Sequence, residues 1–219
     1  MTMPGGFILD ELAIRNAIAD AGQAAVGLGS TGPLERQRRY EEWLFPTDEP
    51  RAAAQMADAM YSCGLHARAC LRASGVDAPE LSEPYQPHCG AVVTWLGDIA
   101  RRMGAYVDLS TPSAVAKAPP LRYGDVLVVD GPVHVIVLTG EDGDGATFTT
   151  SEGGRPERGR TRDGKGMENG MCIHSRTMRT RVFGGRLQTG TVNADGSVTW
   201  GRLALYAINA RWLRTREGA

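Results

Sequence analysis

No apolar run in this 219-residue sequence approaches the ~20 residues that a helix needs to cross a bilayer, so no membrane span is expected. The start, Met1 to Leu12, has no basic stretch leading into a hydrophobic one, so Sec-dependent export is not expected either. The expected location is cytoplasmic, or outside the cell by a phage-associated or specialised secretion route. An excess of one charge is also missing. The 24 basic residues face 25 acidic ones, and the net charge of −1 gives no global field to hold nucleic acid or an anionic surface. Cysteine is sparse, at Cys63, Cys70, Cys89 and Cys172, and nothing signals an oxidising destination, so the thiols are expected to be free. Three Cys/His neighbours occur, Cys63 with His66, His88 with Cys89, and Cys172 with His174. None has the paired short-loop spacing of a zinc site, and no G-x-x-x-x-G-K-[ST] phosphate loop is found, so neither a metal nor a cofactor is expected.

What is present suits one globular unit. A hydrophobic share of 42% against 22% charged residues excludes disorder throughout, and 28 glycines point to many turns. Leu9, Leu12, Ala13, Ala17 and Ile18 predict a helix over Phe7 to Val26, which Gly27, Gly29, Gly32 and Pro33 break. A second helix is predicted over Leu34 to Leu44, and residues 1–47 form an N-terminal helical extension. Asp48-Glu49-Pro50 then reads as a helix start. Met56, Ala59, Met60, Cys63, Ala67, Cys70 and Leu71 follow at helical spacing until Ser74-Gly75, which predicts a helix over 50–75. Two readings are open here: one continuous helix puts Cys63 in its middle, where the macrodipole offers little, while a break near Ser62, the favoured one, puts it at a helix N-terminus, where unpaired amides lower a thiol pKa. Cys70, two turns later on the same face, belongs to the core. Val92, Trp95, Leu96, Ile99, Ala100 and Met103 trace one more amphipathic helix, ending at Gly104.

From Val126 the period changes from helical to alternating. Val126 to Val129, Val133 to Thr139 and Ala146 to Ser151 read as an antiparallel meander, and further strands are predicted at 172–182, 186–192 and 198–208. Gly153 to Gly170, rich in arginine and glycine, is expected to be a solvated, mobile loop near the site. Helices first and strands afterwards predict an α+β layer arrangement, with a domain over 48–219 whose sheet runs from about 124 to 210.

The chemistry centres on Cys63, in Tyr61-Ser62-Cys63-Gly64-Leu65, and on His134 inside a later strand. A thiol beside an imidazole is a nucleophile with its base, which suits acyl transfer or hydrolysis at a carbonyl. With a turn near Asp142 to Gly145, the strand count lets Glu152 share a face with His134, expected to be the helix-packed one. A carboxylate there fixes the imidazole tautomer, while the Cys63 N–H is the expected oxyanion donor.

The order of these features, a Cys at a helix start, then Leu121-Arg122-Tyr123-Gly124-Asp125-Val126 opening a strand, then His134, then Glu152-Gly153-Gly154, resembles the papain-like cysteine hydrolases of the CHAP and NlpC type. The resemblance covers about residues 50–185. It departs from the family pattern at Arg122-Tyr123, where proline is usual, and in lacking an aspartate before the thiol. It implies a papain-like fold of N-terminal helices on an antiparallel sheet, with Cys63 as nucleophile, His134 as base and Glu152 as orienting acid. It also implies a cysteine-dependent amidohydrolase or peptidase acting on peptide or peptidoglycan substrates. The alternative is a catalytically silent module of the same fold that binds a peptide or partner protein.

Overall fold

Alternation along the second half of the chain generates two cores from one sheet. A computed structural model describes residues 6–45, 62–82, 92–130, 133–160 and 167–215. Its helices are α1 (Gly6–Ala25), α2 (Leu34–Leu44), α3 (Ser62–Ala73), α4 (Val92–Arg102) and the short α5 (Pro112–Val115). Its strands are β1 (Tyr106–Asp108), β2 (Val126–Val129), β3 (His134–Glu141), β4 (Thr147–Arg160), β5 (Met167–Phe183), β6 (Arg186–Val192) and β7 (Val198–Ile208). On β2 and β3, Val126, Val128, Val135 and Val137 face the helices and join Ile14, Ile18, Leu65 and Leu96 in one apolar cluster. Their alternates, Leu127, Val129, Ile136 and Leu138, turn the other way and meet Phe148, Met178, Ala204 and Ala207. Both faces are therefore dry, which explains why Val126 to Val129 is an unbroken apolar run.

The second cluster is the interior of a closed barrel. The pairing order β7-β2-β3-β4-β5-β6 returns to β7, so six antiparallel strands form a ring, with β1 added on β7. Strand β7 makes the closure by changing partner along its length. Val198 to Leu203 pairs with β6, and Ala204 to Ile208 pairs with β2. This corrects the expected papain-like layer of helices on an open α+β sheet: the architecture is a six-stranded antiparallel barrel with a few helices packed outside it. Local alternation identifies each strand but carries no information on where the last one returns, and that return decides between sheet and barrel.

A second correction concerns the arginine-rich segment after Glu152. Among its described residues it is not a loop: β4 and β5 continue as a paired arm as far as Arg160 and Met167. The connection between α1 and α2 lies along this arm. Gly29 bridges to Cys172, and the Arg36 guanidinium grips both carboxylate oxygens of Glu157, at 2.9 and 2.7 Å. The charges that suggested a solvated loop are partly spent on that fork.

Helix α1 is docked at the Tyr123-Gly124-Asp125 turn. Arg15 donates to the buried Asp125 carboxylate at 2.7 Å and to the Tyr123 carbonyl at 2.9 Å, while Arg122 and Ala210 amides donate to the same Asp125. Gly124 has φ of +81°, and a Cβ there would lie 2.7 Å from the Arg15 Cα, so the turn and the helix fit only without a side chain. The expected helix start at Asp48-Glu49-Pro50, the residues Met56 to Met60, and His88 and Cys89 lie outside the described residues. Among those described, no helix is long and apolar enough to cross a membrane.

Candidate active site

Helix α3 is enclosed almost all round. Ser62, Gly64, Leu65 and His66 to Leu71 are buried between α1, α2, α4 and the β3–β4 face of the barrel. His66 is a structural histidine whose tautomer is fixed by its neighbours. The Trp43 indole, which can only donate, gives its proton to Nδ1 at 3.0 Å. Nε2 therefore carries the ring proton and donates to Ser151 Oγ at 2.9 Å, and Ser151 Oγ donates to the Gly22 carbonyl at 2.8 Å. Burial holds this histidine neutral, down to about 3. Cys70 lies beneath it, fully buried, with its thiol pushed up by desolvation, as its core placement requires.

The contact between α3 and β4 is made through glycine. A Cβ on Gly153 would lie 2.5 Å from the Ser62 carbonyl oxygen, and one on Gly154 would lie 2.9 Å from Ser62 Oγ. Gly154 also has φ of +86° and sits in a bulge, between Glu152 paired with His174 and Arg155 paired with Cys172. The Gly153-Gly154 pair thus lets the first described turn of α3 rest on the strand, with Cys63 beside the end of the barrel.

His134 and Glu152 share one face, but it is the barrel interior and not the helix-packed side. The parity is set by Val135 and Val137, which point to the helices, so His134 goes with Ile136 and Leu138. On β4, Ser151 points to His66, and Phe148, Thr150 and Glu152 point inward. The interior changes character along the strands, from Phe148 and Met178 to Thr150 and Arg176 and then to Glu152 and His174.

His134 Nε2 lies 2.8 Å from Glu152 Oε2. The Cys63 thiol lines the same cleft, and thiol and ring shift each other's proton affinity. The Glu152 carboxylate is almost fully buried and takes three donors: His134, Thr150 Oγ1 at 2.7 Å, and Arg176 Nε at 2.5 Å. Arg176 is in turn tied to Thr191 Oγ1.

These contacts set the protonation states. Burial disfavours an ionised Cys63, yet the hydrogen bond and charge of His134, with the Val135 and Gly64 amides, outweigh it and pull the thiol below its usual range. Burial likewise opposes a charged His134, and the bonds to Cys63 and Glu152 overcome it, raising the imidazole to about 9. Glu152 is held ionised, at about 2, against its burial by His134 and Arg176.

The three residues line a cleft of about 580 Å³ at the end of the barrel where β3 begins, together with residues from β4, β5, β6 and β7. Sequence reasoning named Cys63, His134 and Glu152, and the structure brings all three together. It missed Arg176. The available signal was the alternation Met178, Arg176, His174 on a predicted strand, which puts a cation at an inward position. Among the described residues no His, Cys, Asp and Glu cluster forms a metal-binding group. No family model matches the chain, and neither a curated protein nor a solved structure matches it.

Proposed function

We propose that the protein is a cysteine-dependent amidohydrolase or peptidase that forms a thioester at Cys63. The observation that supports this reading most is that Cys63 and His134 line one accessible cleft, with Glu152 2.8 Å from the His134 ring and the pair biased toward thiolate and imidazolium.

In this reading the Cys63 thiolate attacks the substrate carbonyl carbon, and the carbonyl π pair moves onto oxygen. The Cys63 N–H serves as the expected donor to that oxygen. As the tetrahedral adduct collapses, the C–N bond breaks and His134 Nδ1–H gives its proton to the leaving nitrogen, leaving a thioester and a neutral imidazole. Water then loses a proton to Nδ1 while its oxygen attacks the thioester carbon. The C–S bond breaks, a carboxylic acid leaves, and the thiolate and imidazolium are restored. Glu152 keeps the ring oriented, with the proton on Nε2 facing it.

Peptidoglycan peptides are the first natural substrate to assay, on the resemblance of the motifs alone. The direct test is competitive alkylation of the whole chain near neutral pH, with modified cysteines located by mass. Cys63 is expected to react fastest, and its advantage should vanish in His134→Ala. Equal reactivity of all cysteines sinks the hydrolase and leaves the silent binding module.

A further inference from the structure

The cleft is unevenly charged. Among its described lining residues the only carboxylate is Glu152, and both of its oxygens are already engaged by His134 and Arg176. The same lining carries Arg155 on β4 and Arg202 on β7, on top of Arg176 and the raised His134. Arg155 reaches this face through the bulge. In a regular strand, residues 152 and 155 point to opposite sides, but the extra residue at Gly153-Gly154 makes Glu152 pair with His174 and Arg155 with Cys172, two positions on one face of β5. Glu157, the acid two residues further on, is clasped by Arg36, and Arg155 has no ion-pair partner among the described residues. His174 beside them registers the same field. Burial lowers its pKa first, Glu152 counters that, and the charges of Arg155 and Arg176 push it further down.

We infer that the cleft takes a carboxylate-bearing substrate, with Arg155 as the residue that receives the carboxylate next to the carbonyl held at Cys63. The bulged Gly-Gly step sets two groups three positions apart on one wall: the acid that orients the base, and the cation that selects the substrate. Because Arg155 is exposed and opens on the cleft, it meets an incoming anion early and steers it, and salt weakens that attraction. The inference rests on Cys63 being the reactive group, and its test does not require hydrolysis.

The probes are iodoacetate and iodoacetamide, which are similar in size and differ in charge. Their rates at Cys63 are measured in the full chain at pH 7 and low ionic strength, and the ratio cancels changes in the thiol itself. In Arg155→Gln the iodoacetate to iodoacetamide ratio is expected to fall about fivefold, the effect of removing one cation that lines the same cleft at a partly solvated site. Arg155→Lys should keep most of it, and added salt should lower it in the native chain. A ratio unchanged in Arg155→Gln overturns the assignment. A second arm compares short acetylated peptides with a glutamate side chain, with a free C-terminal carboxylate, or with neither. Preference for one charged peptide identifies the source of the carboxylate, and equal cleavage of the neutral peptide overturns the inference. If no peptide is cleaved while the alkylation ratio still depends on Arg155, the anion site stands and the hydrolase reading falls.

Discussion

Arg176 Nε lies 2.5 Å from Glu152 Oε1, on a carboxylate whose other oxygen is held by His134. The acid is therefore shared between two cations, and its full charge is not spent on the imidazole. In Arg176→Met, Glu152 loses its second anchor and the cation near His134 disappears. The alkaline limb of the pH–rate profile is expected to move upward, because nothing then competes for the carboxylate. The rate should fall about tenfold, the ~1.5 kcal/mol of one charge-assisted hydrogen bond. A complete pH–rate series on the variant checks both.

Activity should follow a bell. It rises as the pH climbs through the depressed Cys63 value and falls as it passes about 9, where His134 loses its proton. The same shift has a stability consequence. His134 is raised above its ordinary value of 6.5, so its contribution is fully present below that value and is lost as pH rises through about 9. Urea denaturation of native chain and His134→Ala should therefore differ at pH 6 and converge above pH 9.

Gly153→Ala places a methyl group against backbone, 2.5 Å from the Ser62 carbonyl oxygen, where no flexible side chain can give way. Helix α3 must move away from β4. A loss of about 1–3 kcal/mol in unfolding free energy is expected, with a larger loss in Cys63 reactivity, since the thiol leaves His134. Chemical denaturation and alkylation rates, measured side by side, test whether the site fails before the fold does.

His66 predicts sensitivity to acid. Its pKa of about 3 lies below the ordinary 6.5, so the unfolded chain binds a proton that the folded one refuses. Stability is fully present above pH 6.5 and declines below it, by roughly 3 kcal/mol at pH 4. His66→Gln should flatten that decline while costing stability at pH 7, because Trp43 and Ser151 lose their designed partner. Denaturation midpoints at pH 4 and 7 for both chains decide it.

The limits of sequence reading follow from the range of the forces involved. Helix α2 and strands β2, β6 and β7 were legible to the residue, since the helical spacing of Leu34–Leu44, the short apolar run of β2 and the turns that bound β6 and β7 are local signals. The grouping of Cys63, His134 and Glu152 was legible because the expected nucleophile, base and acid need those side chains. Ring closure was not, as β7 switches from β6 to β2 between Leu203 and Ala204 with no local mark. The continuation of β4 past Glu152 was hidden for a related reason. Glycine and arginine there look like loop until the Gly27–Thr31 segment covers them, and that contact joins residues more than a hundred positions apart. The facing of His134 was missed because both sides of its strand are apolar, and alternation alone does not say which side holds the helices.

Peptide-binding proteins often capture an extended ligand by letting it hydrogen-bond along an open strand. In the ring described here most of that edge is taken, since each barrel strand has a neighbour on either side for part of its length. Among the described residues, Arg155 to Arg160 of β4 pair only with β5, and Val198 to Trp200 of β7 only with β6. The strand backbone with a vacant side therefore lies next to the cleft, where Arg155, Pro156 and Thr199 form part of the lining.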